Sequence, residues 1–167
     1  MSTAPGWEST SFLSGFYGSG YLRITVATTT PAQGVLGHSF YVTQPGDYAV
    51  AVRTRRQIDE EVESDQRNDV FVRLDGSAWA KATHHSPFGL WGFIDKRRQV
   101  ELDHETPFVA LMWDLEMGRH TFLISRRSEE VLIDRILIFR TDAAPTDLTG
   151  VRSDRPNASI PESSRKP

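Results

Sequence analysis

The sequence predicts an all-β protein, an antiparallel β-sandwich of the jelly-roll kind, and three observations carry that expectation. Short runs rich in β-branched and aromatic residues alternate apolar and polar side chains with period two, as half-buried strands do. Glycine and proline separate these runs at short, regular intervals, the spacing of turns in sandwiches and barrels. No segment carries the apolar stripe that a packed helix needs.

The strands follow in order. Tyr21–Ala27, His38–Thr43, Asp47–Thr54 and Asp69–Asp75 come first. Trp79–Ala82, Trp91–Ile94, Gln99–Asp103, Pro107–Leu115, His120–Arg126 and Val131–Arg140 continue the series. Pro45-Gly46, Asp75-Gly76 and Gly118 supply turn chemistry between them. The charged stretch Gln57–Gln66 is polar all round, which predicts a long solvated loop and not a docked helix. From Thr141 onward, large apolar residues are few and prolines several, so residues 141–167 read as a tail or linker beside a folded domain of residues 1–140.

Composition narrows the function classes. A chain of 167 residues can bury a core without staples, and it contains no cysteine, which removes disulfide frameworks and thiolate metal sites. Nineteen basic and twenty-two acidic residues give a formal charge of −3, which points away from nucleic acid and from polybasic membrane contact. No apolar run approaches the roughly 20 residues of a membrane helix, so no membrane insertion is expected. The opening MSTAPGWEST lacks the basic and apolar regions of a signal peptide.

Candidate sites are few. Strand periodicity puts Leu132, Asp134, Ile136 and Ile138 on one face, so Asp134 needs a partner among apolar neighbours. A backbone turn, an arginine or a calcium ion would each answer that need, and Glu8 is the one acidic residue at the N-terminal end that could share a calcium. Trp113 reads as core. Phe88 and Trp91 lie in or beside the long connection His84–Leu90, where exposed aromatics would form a flat platform for sugar rings or would instead plug the end of the sandwich. His84 and His85 are adjacent, hence poorly placed to chelate one ion from a strand. The acidic residues of 59–65 could include a glycosidase pair only if two of them faced each other across a cleft. G-x-S-x-G and H-E-x-x-H are absent, and Gly15–Gly20 precedes a strand instead of joining a strand to a helix, so it is no nucleotide loop. No catalytic residue is predicted.

The motifs resemble a family. Ser14–Leu22 (SGFYGSGYL) is similar to the G-[FY]-x-G-x-G-Y-[LV] opening of carbohydrate-binding modules of families 6 and 35. Pro45–Tyr48, Asn68–Gly76, Trp79, Trp91, Leu115–Thr121 and Ile133–Ile136 follow in the family's order, so the resemblance spans about Gly15 to Phe139. It implies a non-catalytic jelly roll that binds oligo- or polysaccharide through loop aromatics, with Phe88 and Trp91 in the ligand-facing connection and Tyr17, Asn68 and His85 as loop neighbours. It also implies one structural calcium at Asp134, with Glu8 standing alone where the family pattern has two glutamates. Such modules accompany catalytic domains of exported enzymes, which implies an extracellular or periplasmic setting and a neighbouring catalytic domain as partner. The competing expectation is a structural or protein-interaction sandwich without a sugar site.

Overall fold

The computed structural model describes residues 4–57, 67–84, 87–100 and 107–143. Within them the chain forms twelve strands and one short 3-10 turn, Thr141–Ala143, with no α-helix. The strands are β1 (Trp7–Thr10), β2 (Tyr21–Ile24), β3 (Leu36–Val42), β4 (Gly46–Arg56), β5 (Asp69–Leu74) and β6 (Ala80–Thr83). Then come β7 (Trp91–Ile94), β8 (Lys96–Gln99), β9 (Val109–Ala110), β10 (Met112–Leu115), β11 (Gly118–Ser125) and β12 (Val131–Arg140). All pairings are antiparallel. One six-stranded sheet runs β1-β2-β12-β4-β10, with β7 also on β4, and the other runs β3-β11-β5-β6-β8-β9.

Alternation explains the core. Val50 and Val52 from β4, Val70, Val72 and Leu74 from β5, Ala80 and Ala82 from β6, and Phe122 and Ile124 from β11 pack between the sheets. Leu111 shows how the sandwich closes. The run Pro107–Leu115 has no turn residue from Phe108 to Trp113 and reads as one strand, yet β9 pairs in one sheet and β10 in the other. Leu111 is buried at the crossing, where its N–H donates to the Asp95 carbonyl at 2.8 Å and its carbonyl accepts from the Val50 N–H at 2.8 Å. Asp95 is itself the corner between β7 and β8, so two sheet-switching corners are bonded to each other. The strand expected over Gln99–Asp103 is displaced to β8, and its residues past 100 lie outside the described residues. Residues 58–66 and 144–167 lie outside them too, so the expected loop and tail are not described. The N-terminal strand β1, which the periodicity did not single out, pairs Trp7 with Ile24 and buries Trp7 in the core.

The final strand corrects one expectation. A β-bulge between Ile133 and Arg135 shifts the register against β4. Val131 and Ile133 before it, and Ile136 and Ile138 after it, therefore all join the inter-sheet core. Leu132 belongs to a separate cluster on the outer face. Asp134 is the bulged residue and does not share the core face of Ile136 and Ile138.

Candidate binding end of the sandwich

The loop Ser11–Gly20 joins β1 to β2 and folds over the outer face of the first sheet. Leu13 and Phe16 pack there on Tyr21, Trp91 and Leu132, forming a second apolar layer outside the main core. Four hydrogen bonds fix the loop. The Leu13 N–H donates to the Tyr21 hydroxyl at 3.2 Å, and Trp91 Nε1 donates to the Ser14 carbonyl at 3.2 Å. Arg53 Nη2 donates to the Gly15 carbonyl at 3.1 Å, and the Tyr17 N–H donates to Asp134 Oδ2 at 2.8 Å. Gly15 has φ +84°, and a Cβ there would sit 3.2 Å from Trp91 Cδ1, so glycine is needed both for the backbone and for the close approach.

Asp134 and Arg53 anchor this arrangement. Arg53 Nη1 donates to Asp134 Oδ2 at 2.5 Å, and the two side chains are 2% and 0% exposed. The guanidinium carbon of Arg53 lies 4.2 Å from the centre of the Tyr17 ring and 5.0 Å from that of Trp91, while Arg135 lies 4.3 Å from the Tyr17 ring. Burial pushes the Asp134 carboxyl above the ordinary carboxylate value, and the Tyr17 N–H and Arg53 pull it back only in part. Its Oδ1 is buried without a hydrogen-bond partner, which accounts for that direction.

Asp134 and Glu8, the expected calcium pair, each face a different arginine. The cation facing Asp134 is Arg53, and Glu8 faces Arg23 across β1 and β2 at 3.5 Å on the exposed surface. Among the described residues no three His, Asp or Glu side chains are grouped to hold a metal ion. Of the alternatives open in the sequence, the backbone turn and the arginine are both realised, at Tyr17 and Arg53.

Of the predicted ligand residues, Tyr17, Trp91, Phe88 and Asn68 lie among the described residues. Tyr17 and Trp91 meet at Arg53, and Phe88 is half-buried with Arg56 Cζ 4.2 Å from its ring centre. The Gly89 N–H donates to the Arg56 carbonyl at 3.0 Å, which brings the His84–Leu90 connection back to β4. The Asn68 carbonyl accepts from the His84 N–H at 2.6 Å, while His84 Nδ1 meets Thr54 Oγ1 at 2.5 Å. His85 lies outside the described residues. The expectation of a solvent-facing Trp91 is corrected. It is 7% exposed because the Ser11–Gly20 loop covers the outer face on which its parity places it. Two exposed apolar side chains were missed instead. Phe12, 91% exposed, stands on the pinned loop beside Leu13, and Leu90 is half exposed next to Trp91. The signal for Phe12 was a large apolar residue among Ser, Thr and Gly with no period-two partner, in ESTSFLSG.

No protein-family model matches the chain, and no curated protein matches it. Solved structures do. A family 35 carbohydrate-binding module from Clostridium thermocellum is similar with a TM-score of 0.55 at 14% identity, over 82% of this chain and 90% of that one. The family 35 module of Cellvibrio japonicus Abf62 is similar at 0.52 and 13% identity, over 81% and 84%. The GH26-CBM35 β-(1,4)-mannanase of Podospora anserina is similar at 0.55 and 15% identity, over 86% of this chain but only 26% of the mannanase. The chain is a β-sandwich with the fold of the family 35 carbohydrate-binding modules.

Proposed function

We propose that this domain is a non-catalytic carbohydrate-binding module that recognises an oligo- or polysaccharide at the Arg53–Arg56 end, as an accessory domain of an exported, extracellular or periplasmic, carbohydrate-active enzyme. The observation that carries the reading is Phe12. A wholly exposed aromatic ring on a loop fixed by four hydrogen bonds is a preorganised stacking surface, and little entropy is lost when a pyranose face settles on it. Tyr17 and Phe88 are both half-buried against guanidinium groups, and Arg55 and Arg135 carry donors of the kind that sugar hydroxyls accept. The fold likeness to family 35 modules supports the same reading. A shallow site of this kind binds weakly, on the order of 10 µM to 1 mM.

Burial of Trp91 favours the second reading, a structural or interaction sandwich, because the largest aromatic of the connection serves packing. Affinity electrophoresis and a glycan array separate the two. Phe12→Ala should weaken saccharide binding about tenfold, Phe88→Ala by a smaller factor, and Phe12→Ala should leave the melting temperature unchanged, since its ring touches no core. A wild-type domain that binds no saccharide on a broad array would establish the interaction reading.

A further inference from the structure

Edge strands of natural sheets are kept short, charged or bulged, because their open N–H and C=O groups template pairing with another chain. Four edge strands here obey that rule. Strands β1, β7, β9 and β10 have four residues or fewer, and β1 carries Glu8 and β10 carries Asp114. Strand β3 does not. Its seven residues, LGHSFYV, contain no Asp, Glu, Lys, Arg or Pro, and it pairs with β11 without a register shift from Leu36 to Val42. It ends the second sheet, and its outward backbone groups bond to nothing among the described residues. Gly37, His38, Ser39 and Tyr41 are exposed.

From this we infer that β3 is a self-association edge, and that two copies of the chain join their second sheets by antiparallel β3–β3 pairing across a two-fold axis at Ser39. The sequence of the strand is complementary to itself in that register. Pairing all seven residues sets Leu36 opposite Val42, Gly37 opposite Tyr41, His38 opposite Phe40, and Ser39 opposite its own copy. Opposed residues share a face, so the Tyr41 ring, 67% exposed in the single chain, covers the bare backbone of the partner copy's glycine. Leu36, Phe40 and Val42 face the core side and extend the apolar layer across the junction. The strand itself carries no charged residue, and the nearest charge is Arg119 on β11, whose Nη2 donates to Ser39 Oγ at 3.3 Å. The inference stands apart from the saccharide reading, since β3 takes no part in the Arg53–Arg56 end.

Sedimentation equilibrium over micromolar to millimolar concentrations tests it. Wild type should reach a dimer, and Ser39→Lys, which places two like charges at the axis, should weaken association about tenfold or more with little change in melting temperature. Because the chain has no cysteine, Ser39→Cys gives a clean second measurement. Under mild oxidation it should form a disulfide-linked dimer well ahead of a Gly76→Cys control in the β5–β6 turn. A wild type that stays monomeric throughout, an assembly that survives Ser39→Lys, or cross-linking no faster than the control would each overturn the inference.

Discussion

Two carboxylates, Asp134 in the first sheet and Asp75 at the end of β5 in the second, each tie a turn or loop to neighbouring strands, and the two are built from similar parts in opposite solvents. On the first sheet, Asp134 takes the Tyr17 N–H and the Arg53 guanidinium in a site sealed by Trp91 and the Ser11–Gly20 loop. On the second, Asp75 takes the Thr121 N–H at 2.7 Å and a ring nitrogen of His120 at 2.8 Å, and its side chain is 44% exposed. Both answer a backbone N–H with one oxygen and offer the charge to a cationic side chain. The difference is what water does. At Asp75 water screens the charge and solvates what the protein leaves unpaired, so the clamp is weak and adjustable. At Asp134 nothing replaces a missing partner, so the pair is costly to break from either side and poorly compensated while intact.

The largest effect should come from breaking the buried clamp. Arg53→Met removes the guanidinium that faces the buried Asp134 carboxylate, and Asp134→Leu removes that carboxylate from the guanidinium, so each should destabilise by about 3–5 kcal/mol in denaturant unfolding. The double substitution should recover much of that loss, because neither charge is then stranded. Additive losses would show that the two residues act through separate contacts. Adding calcium or EDTA should leave the wild-type melting temperature unchanged, since a guanidinium already faces Asp134. A calcium-dependent rise by mass action would instead put a metal at this carboxylate.

The contrast between the two clamps also marks how far the sequence was legible. Periodicity located most of the strands, and turn chemistry located the Asp75-Gly76 hairpin, where the Ser77 N–H closes on the Leu74 carbonyl at 3.0 Å. The need for a partner at Asp134 was legible as well, because a carboxylate among apolar neighbours demands one. Its direction was not, since a bulge moves one residue out of register without any sequence signature here. The sheet switch at Leu111 was hidden for a related reason, an unbroken apolar run that changes partners and not periodicity. Trp91 misled because in-out alternation assumes water on the outer face, and at that end the Ser11–Gly20 loop lies over it. Phe12 could have been picked out as exposed, but only the folded loop shows that the residues after it, Leu13 to Tyr17, are hydrogen-bonded to the sheet.

A smaller effect tests whether the loop is what makes the first clamp tight. Gly15→Ala forces a left-handed backbone on a residue with a Cβ and pushes that carbon against Trp91, which should cost about 1–3 kcal/mol. If the loop seals Asp134, hydrogen exchange of the Tyr17 amide should accelerate along with the loss in stability. Gly18→Ala, with positive φ but open space around its Cβ, separates strain from crowding. Equal losses at both positions would mean that backbone strain alone is felt and that contact with Trp91 contributes nothing.

The smallest effect belongs to the exposed clamp, and its signature is pH and not size. One ring nitrogen of His120 faces Asp75 Oδ2, and the other faces the Glu116 carbonyl at 2.9 Å. Both partners are acceptors, and a neutral imidazole has a single N–H, so only the imidazolium satisfies both. The hydrogen bond to Asp75 is the larger reason that His120 is raised above its ordinary value of 6.5, and the Glu116 carbonyl adds to it. A histidine raised on folding contributes stability that is fully present below its unfolded pKa and is lost as pH rises through the folded one. The difference in unfolding free energy between wild type and His120→Gln should therefore be level from about pH 5 to about pH 6.5 and shrink above that. With Asp75 nearly half exposed, the change should be at most about 1 kcal/mol and smaller at high salt. A difference that stays level from acid to alkaline pH would show that the clamp holds through the neutral ring, and one that grows with pH would show that folding favours the neutral ring over the imidazolium.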